Sequence, residues 1–217
     1  MSEHFITVAR TARYYSLGAV PAREIWFACH GYAQLARYYI KQFQPLDDGS
    51  RLIVAPEALN RYYLENAPGV HGPDARIGAT WMTREDREHE IEDYIAYLDA
   101  LYDAVVGDDV ATRIIALGFS QGTATVSRWV ARGRARIDHV VLWGGSLAPE
   151  LNAEPALLRG ASLTIAIGAA DAQITPARVD AEDRRLRDAG VDYRLHRYAG
   201  GHRIEPDALR ELARLLA

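Results

Sequence analysis

The feature that most constrains the fold is a segment in which an apolar run, a glycine-flanked serine and a helical pattern follow one another. Residues 114–117 read Ile-Ile-Ala-Leu, which is typical of a buried strand, and Gly-Phe-Ser-Gln-Gly follows at 118–122. The two glycines permit a turn too tight for larger residues, and the small residues at 123–126 favour a helix. The segment therefore predicts a strand, a sharp turn and a helix with Ser120 at the tip, which is the structural context of a nucleophile elbow.

Similar strand and helix patterns alternate through most of the chain. Continuous or alternating apolar runs predict strands at 24–29, 52–56, 112–119, 140–143, 163–167 and 193–198. Helical spacing predicts helices at 34–43, 121–132 and 176–189, a long amphipathic helix that begins near Thr83 and whose apolar stripe reaches Val105, and a closing helix from Pro206. Such alternation predicts an α/β fold with a mainly parallel sheet, helices on both faces and a ligand site at the carboxyl ends of the strands.

Three segments carry less regular signals. Residues 4–17 mix apolar and polar side chains loosely, which predicts one or two strands exposed on one side. Residues 57–82 hold glycines, prolines and aromatic residues, and we expect a long loop of functional importance. Thr83, with Asp86 three residues later, predicts the N-cap of the long helix.

Composition places the chain among globular proteins. Its 217 residues, 49% apolar and 25% charged, fit one domain spanning 1–217. The formal net charge of -4 argues against a nucleic-acid or anionic-membrane partner. Cys29 is the only cysteine, which excludes an internal disulfide and suits a reducing cytoplasm. We expect no transmembrane segment, no signal peptide and a cytoplasmic location, whereas no pattern specifies an oligomeric state.

A serine hydroxyl needs a base, and that base needs an orienting acid. His202 is the best-placed histidine, because it follows the last predicted strand in a Gly-Gly-His turn. Asp171 follows the predicted strand at 163–167, and it precedes His202 in the order serine, acid, histidine that an elbow-type hydrolase uses. The alternative for Asp171 is a cap of the helix that starts at Pro176.

The other histidines are weaker candidates for the base. His139 and His196 lie within predicted strands and are expected to be structural, and His30 is expected to shape the turn after its strand. Three more are expected at the surface or in loops, namely His4, His71 and His89. The residues around His89 lack the second histidine of a zinc-binding helix, and no metal site is predicted.

An acyl-transfer reaction also needs two donors for the anionic oxygen of its tetrahedral intermediate. The amide of Gln121, next after the serine, is the first candidate. The second is the amide of Tyr32 in the His-Gly-Tyr turn at 30–32, where glycine gives the backbone freedom. Both donors are backbone groups.

Three separated motifs, at 30–32, at 118–122 and at Asp171 with 200–202, resemble those of the α/β-hydrolase superfamily. The motif Gly-Phe-Ser-Gln-Gly is similar to that of the bacterial carboxylesterase, lysophospholipase and acyl-protein thioesterase family. The resemblance runs from about residue 24 to the end of the chain. It implies Ser120 as nucleophile and the same acid, base and oxyanion donors, and it implies that Trp81 lies near the acyl pocket.

These observations predict a serine hydrolase that cleaves a small-molecule carboxylic ester or thioester without metal or cofactor. We expect the loop at 57–82, including Tyr62, Tyr63 and Trp81, to line the acyl side together with Leu147. Two alternatives remain open. The same residues permit acyl transfer to an acceptor other than water, and a hydrolase-like protein could bind without catalysis.

Overall fold

A computed structural model of the chain describes residues 1–65, 71–107, 112–151 and 155–216. Within these ranges the backbone forms nine strands and five α-helices. The strands are β1 (Tyr14–Gly18), β2 (Glu24–Cys29), β3 (Arg51–Pro56), β4 (Asn60–Tyr63), β5 (Ile77–Thr80), β6 (Arg113–Phe119), β7 (His139–Trp143), β8 (Ser162–Gly168) and β9 (Arg194–Tyr198). The helices are α1 (Ala36–Tyr39), α2 (Arg87–Val106), α3 (Gln121–Arg132), α4 (Pro176–Asp188) and α5 (Pro206–Leu216), with 3₁₀ helices at Ile40–Leu46 and Pro155–Leu158.

Seven strands form one sheet in the order β1-β3-β2-β6-β7-β8-β9. The pairs from β3 to β9 are all parallel, and only the edge strand β1 runs antiparallel, against β3. The mainly parallel sheet predicted from the alternating pattern is confirmed. From β2 the chain goes to β3 on one side and later to β6 on the other. The ends of β2 and β6 therefore meet at a topological switch point, where ligands of open α/β sheets bind.

Alternate residues of the central strands serve two separate cores. Ile25 and Phe27 of β2 pack with α2, α3 and α4 on one face of the sheet. Trp26 and Ala28 pack with α1, the first 3₁₀ helix and α5 on the opposite face. Strands that are buried on both faces read as continuous apolar runs, and this is why 24–29 and 113–119 carry almost no polar residue. Helices on both faces were predicted and are confirmed.

The N-terminal prediction is only partly correct. β1 begins at Tyr14, and residues 4–13 form no strand. Phe5, Ile6 and Val8 are 59%, 87% and 71% exposed. Loose alternation of apolar residues is a weak signal when no neighbouring strand pairs with it, since a strand needs a partner for its backbone groups.

Two further boundaries differ from the predicted ones. The segment 57–82 contains the antiparallel hairpin of β4 and β5 and is not a plain loop; its residues 66–70 lie outside the described part of the chain. The long helix α2 starts at Arg87, so Thr83 is not its N-cap. The Thr83 hydroxyl instead accepts a hydrogen bond from the Glu85 amide at 3.1 Å, closing a local turn that competes with the helix.

The predicted helix at 34–43 is also modified. Four residues form α1, and the chain then tightens into the 3₁₀ helix that contains Pro45. No helix in the described part of the chain is long and apolar enough to span a membrane.

Candidate active site

Ser120 lies at the tip of a strained turn between β6 and α3. Its backbone has φ +52° and ψ −115°, a conformation that costs a non-glycine residue about 1–3 kcal/mol. Its amide donates to the Trp143 carbonyl of β7 at 2.9 Å. A Cβ on Gly118 would lie 2.2 Å from the Gly122 carbonyl oxygen, and a Cβ on Gly122 would lie 2.2 Å from the Cys29 carbonyl oxygen. The elbow therefore requires both glycines.

His202 connects Ser120 to Asp171. The imidazole Nε2 lies 3.0 Å from the Ser120 hydroxyl, and Nδ1 lies 2.8 Å from a carboxylate oxygen of Asp171. The turn that carries His202 approaches the end of β8 closely, because a Cβ on Gly168 would lie 2.5 Å from the Gly200 carbonyl oxygen. The structure thus brings together the three side chains that the sequence separates by up to 82 positions.

The Asp171 carboxylate is held from both sides. One oxygen faces His202, and the other accepts the amides of Gln173 at 2.8 Å and Ile174 at 3.0 Å. Burial by itself would raise the pKa of Asp171, but the hydrogen bonds from His202 and the two amides outweigh it and lower that pKa. The N-cap of α4 is Thr175, whose hydroxyl accepts the Arg178 amide at 3.4 Å. The alternative role of Asp171 as helix cap is therefore wrong.

His30 and His139 make structural contacts. The His30 Nδ1–H donates to the Gly31 carbonyl at 2.7 Å, and Nε2 accepts the Ala58 amide at 3.1 Å. Burial lowers the pKa of His30 to about 4, so the ring is neutral at pH 7. His139 contacts the Thr164 hydroxyl at 2.9 Å, and burial together with two nearby arginines lowers its pKa to about 4.

The two candidate oxyanion donors flank the switch point between β2 and β6. Tyr32 follows the end of β2, and Gln121 begins α3. Within the described ranges neither amide has a hydrogen-bond acceptor. The two segments are in direct contact, because Gly122 approaches the Cys29 carbonyl too closely to tolerate a side chain. Neither amide is therefore occupied by a protein acceptor in the described part of the chain, as an oxyanion donor requires.

A cavity of about 470 Å³ opens at Ser120 and His202. It extends between α4 and the strands β8 and β9 on one face of the sheet. Its apolar side chains come from the segment after β7, from β8 and β9, and from α4 with the turn before it. These are Leu147, Pro149, Ile165, Ile167, Ile174, Val179 and Leu195.

Leu147 lines this cavity, whereas the three aromatic residues predicted for the acyl side do not. Trp81 is buried, with its ring 5.2 Å from the His30 ring. Tyr62 lies 5.6 Å from the Tyr32 ring, and Tyr63 stacks on His71 at 3.7 Å. None of these residues lines the cavity at Ser120, so the contribution of the 57–82 segment to the acyl side stays a prediction.

Most residues of the cavity wall were not predicted from the sequence. Ile165 and Ile167 occupy alternate positions at the carboxyl end of β8, and Val179 is one of two buried residues of α4. The alternation of side chains along β8 could have indicated this wall. Residues two apart in a strand lie on the same face of the sheet, so Ile165 and Ile167 border the same space. Among the described residues, no group of three histidine, cysteine or acidic side chains is arranged to hold a metal ion.

Comparisons with known proteins bear on the fold. No protein-family model and no curated protein sequence matches the chain. Among solved structures, esterase PE8 is 24% identical with a TM-score of 0.67, and the match covers 95% of this chain and 98% of that one. A carboxylesterase from Mesorhizobium loti is 22% identical with a TM-score of 0.70, covering 95% of both chains.

Acyl-protein thioesterase 2 from Zea mays is 14% identical with a TM-score of 0.68, and the match covers 95% of this chain and 98% of that one. At these identities the likeness concerns the path of the backbone, and it extends over nearly the whole of each chain. The sheet order, the helices on both faces and these neighbours agree: the chain has the α/β-hydrolase fold.

Proposed function

We propose that the protein is a serine hydrolase that cleaves a carboxylic ester or thioester through an acyl-enzyme intermediate. The observation that carries this proposal is the position of His202 between the Ser120 hydroxyl at 3.0 Å and the Asp171 carboxylate at 2.8 Å. In a serine hydrolase the nucleophile must form a hydrogen bond with the base, and the base must form one with the orienting acid. The esterases and the thioesterase that share the fold add support from analogy.

In the first half of the reaction Ser120 Oγ attacks the acyl carbon, and its proton passes to His202 Nε2. Asp171 holds Nδ1–H and stabilises the imidazolium that forms. The amides of Tyr32 and Gln121 donate to the oxygen that becomes negative. The tetrahedral intermediate then collapses, and the proton on Nε2 moves to the departing alcohol or thiol.

In the second half a water molecule gives its proton to His202 Nε2 and attacks the acyl-serine. The second tetrahedral intermediate releases the carboxylic acid and returns the proton to Ser120 Oγ. The cavity beside Ser120 is largely apolar, so it suits the hydrocarbon part of an acyl group. Leu147, Ile165 and Val179 line the same cavity as Ser120, and we infer that the acyl chain is held there.

The proposal is tested by labelling with a fluorophosphonate and by turnover of nitrophenyl acetate, butyrate and octanoate. We expect the wild type to be labelled and active, and Ser120→Ala to lose both properties. Ser162→Ala is a matched control, because Ser162 is exposed at the start of β8, at the opposite end of that strand from the site. Absence of labelling, or equal turnover by Ser120→Ala, overturns the proposal. A matched oxygen ester and thioester then identify the preferred leaving group.

A further inference from the structure

The two candidate oxyanion donors come from parts of the chain that are 89 positions apart, so something must hold their separation and direction. An oxyanion is stabilised only when both donors lie about 2.7–3.1 Å from it. Tyr32 follows β2 and Gln121 starts α3. A third segment, the residues 79–82 at the end of β5 and just beyond it, contacts both.

The first set of contacts joins residues 79–82 to the turn that carries Tyr32. The Ala33 amide donates to the Ala79 carbonyl at 2.9 Å, and the Ala79 amide donates to the Gln34 carbonyl at 3.3 Å. These two bonds attach the backbone immediately after Tyr32 to β5. The hairpin is therefore joined to the turn by main-chain groups on the C-terminal side of the donor.

The second contact acts on the N-terminal side of Tyr32. The indole N–H of Trp81, a residue 1% exposed, donates to the His30 carbonyl at 2.8 Å. The His30 ring in turn donates to the Gly31 carbonyl at 2.7 Å. The Gly31 carbonyl and the Tyr32 N–H belong to one planar trans peptide, in which they point in opposite directions. A fixed Gly31 carbonyl therefore fixes the direction of the Tyr32 donor.

The third set of contacts joins residues 79–82 to Gln121. The side-chain Nε2 of Gln121 donates to the Thr80 hydroxyl at 2.8 Å and to the Met82 carbonyl at 3.1 Å. Its Oε1 accepts the Trp81 amide at 3.2 Å. The Thr80 hydroxyl donates to the Met82 carbonyl at 2.9 Å. These bonds hold the Gln121 side chain, and with it the first residue of α3.

We propose that Thr80, Trp81 and the side chain of Gln121 are positioning residues that set the distance and angle between the two oxyanion donors. The proposal rests on the proposed function, because it concerns the same tetrahedral intermediate. It assigns the buried tryptophan to transition-state geometry and not to acyl binding. Interactions that act only in the transition state change kcat and leave substrate binding unchanged.

The test measures kcat and KM for nitrophenyl butyrate in Thr80→Val, Trp81→Phe and Gln121→Met. Thr80→Val and Gln121→Met remove hydrogen-bonding groups and keep the approximate size of the side chain, whereas Trp81→Phe removes the indole N–H together with part of the ring. We expect kcat to fall about 10- to 100-fold, less than the loss of a whole donor, with KM within about 2-fold. Thr80→Ser keeps the hydroxyl, and we expect it to restore most of the rate that Thr80→Val loses.

A second readout separates donor geometry from general damage. Butylboronic acid forms a tetrahedral adduct with an active-site serine, whereas pentanamide, of equal chain length, binds without that change. The affinity for the boronic acid should fall by the same factor as kcat, and the affinity for the amide should stay constant. Trp129→Phe is the matched control, since it removes a buried indole hydrogen bond to Asp99 away from the site. We expect it to lower stability and to leave both affinities unchanged.

The outcomes are distinct. A kcat within 2-fold of the wild type in Thr80→Val and Gln121→Met overturns the proposal, as does a lower kcat with unchanged boronic acid affinity. If Trp81→Phe does not fold, the other two variants decide the matter. A wild type that neither hydrolyses esters nor binds the boronic acid contradicts the proposed function itself, before any variant is compared.

Discussion

Asp171 brings a negative charge to the candidate site, and its hydrogen-bond partners favour the ionised form of its carboxyl group. Its carboxylate accepts hydrogen bonds from the His202 ring and from the Gln173 and Ile174 amides, and together they keep its pKa below the ordinary value despite burial. The group is therefore ionised throughout the neutral range. An ionised partner on Nδ1 fixes the imidazole tautomer in which Nε2 is free to take the serine proton.

Substitution of Asp171 tests this role at the scale of one residue. Asp171→Asn replaces the acceptor facing Nδ1–H by an amide that favours the opposite tautomer, and we expect kcat to fall about 10³- to 10⁴-fold. KM for the same ester should change little. Asp180→Asn is the control, because Asp180 is exposed on α4. A loss below about 10-fold in Asp171→Asn, or an equal loss in the control, would contradict the assignment.

Gly122 allows two physical effects to be compared. Helix propensity alone predicts that Gly122→Ala in α3 stabilises the protein by about 1 kcal/mol. The contact of its Cβ with the Cys29 carbonyl oxygen at 2.2 Å predicts overpacking instead, which costs about 1–3 kcal/mol. We expect the steric term to dominate, so urea denaturation should show a lower free energy of unfolding. Gly72→Ala, where nothing lies within 4 Å, should change that free energy by less than about 0.5 kcal/mol. A stabilised Gly122→Ala would refute the steric account of the elbow.

Residue identities were most informative where a motif restricts the backbone. Ser120 and Asp171 follow strands that read clearly as apolar sequence, His202 follows the alternating strand β9, and their order limits the choice of partners. The directions of Trp81 and Tyr62 could not be predicted in this way, because they depend on how the β4–β5 hairpin pairs and turns. No local sequence pattern within residues 57–82 predicts that hairpin.

At the scale of elements, one partly buried ion pair joins three parts of the molecule. Arg128 of α3, with a side chain 4% exposed, forms a paired contact with Glu150 after β7, and Arg87 of α2 contacts the same carboxylate at 2.8 Å. Burial by itself would raise the pKa of Glu150, but Arg128 and Arg87 outweigh it and lower that pKa to about 2. The segment after β7, which also lines the cavity, is thereby attached to two helices.

Removal of this carboxylate leaves Arg128 buried without its ionic partner, although its hydrogen bond to the Tyr94 hydroxyl remains. We expect Glu150→Gln to lower the free energy of unfolding at pH 7 by about 1–2 kcal/mol, less than for a fully buried pair because the Glu150 side chain is 28% exposed. The pKa of Glu150 is lower in the folded state, so its contribution is present above about pH 4.5 and is lost as the pH falls toward 2.

The difference between wild type and Glu150→Gln in urea denaturation should therefore shrink between pH 5 and pH 2.5. The exposed Glu211 on α5 supplies a control, and Glu211→Gln should show no such trend. A difference that stays constant over this range would show that Glu150 contributes by packing and not by charge.

Strands were easier to predict than helix starts. The five central strands have apolar runs that are bounded by glycine, proline or polar residues. These bounding residues mark the ends of the strands within the sequence itself. The start of α2 depends on whether Thr83 caps the helix or closes its own turn, and both use the same hydroxyl. The tertiary bond from the Thr83 amide to Glu90 favours the second arrangement, which a local pattern does not reveal.

At the scale of the whole molecule, two buried histidines connect stability to pH. His30 and His139 are 0% and 6% exposed, and each has a pKa lowered to about 4, mainly because burial disfavours its charged form. In the unfolded chain both take up a proton near pH 6.5. Between pH 6.5 and 4 the unfolded state therefore binds more protons, and stability decreases as the pH falls.

Each histidine can lower the free energy of unfolding by up to about 3 kcal/mol across this window, a large share of an ordinary stability of about 5–15 kcal/mol. We expect urea midpoints to fall steadily from pH 7 to pH 4.5. His139→Asn keeps a polar contact for Thr164 and removes one titrating group, so its curve should fall less steeply. Identical slopes for the two proteins would contradict this account.

The overall architecture was the most predictable level. Alternating strand and helix patterns fixed the class because parallel strands need crossover helices, and the twofold period within each central strand fixed which side chains face each core. The cavity was not predictable to the same degree. Its wall depends on how far α4 stands from β8 and β9, a distance set by packing and not by any motif.

The attachment of α4 has a consequence for how such a protein can change over generations. Only Val179 and Leu186 of its 13 residues are buried, whereas eight of the 12 residues of α3 are. Yet α4 supplies much of the cavity wall. Under the proposed function, mutations at Arg178 and Ala181, which line the cavity and are exposed, can change the accepted acyl group at little cost to folding. Val179 lines the cavity and belongs to the core, so it is constrained by both roles, as are α3 and its elbow.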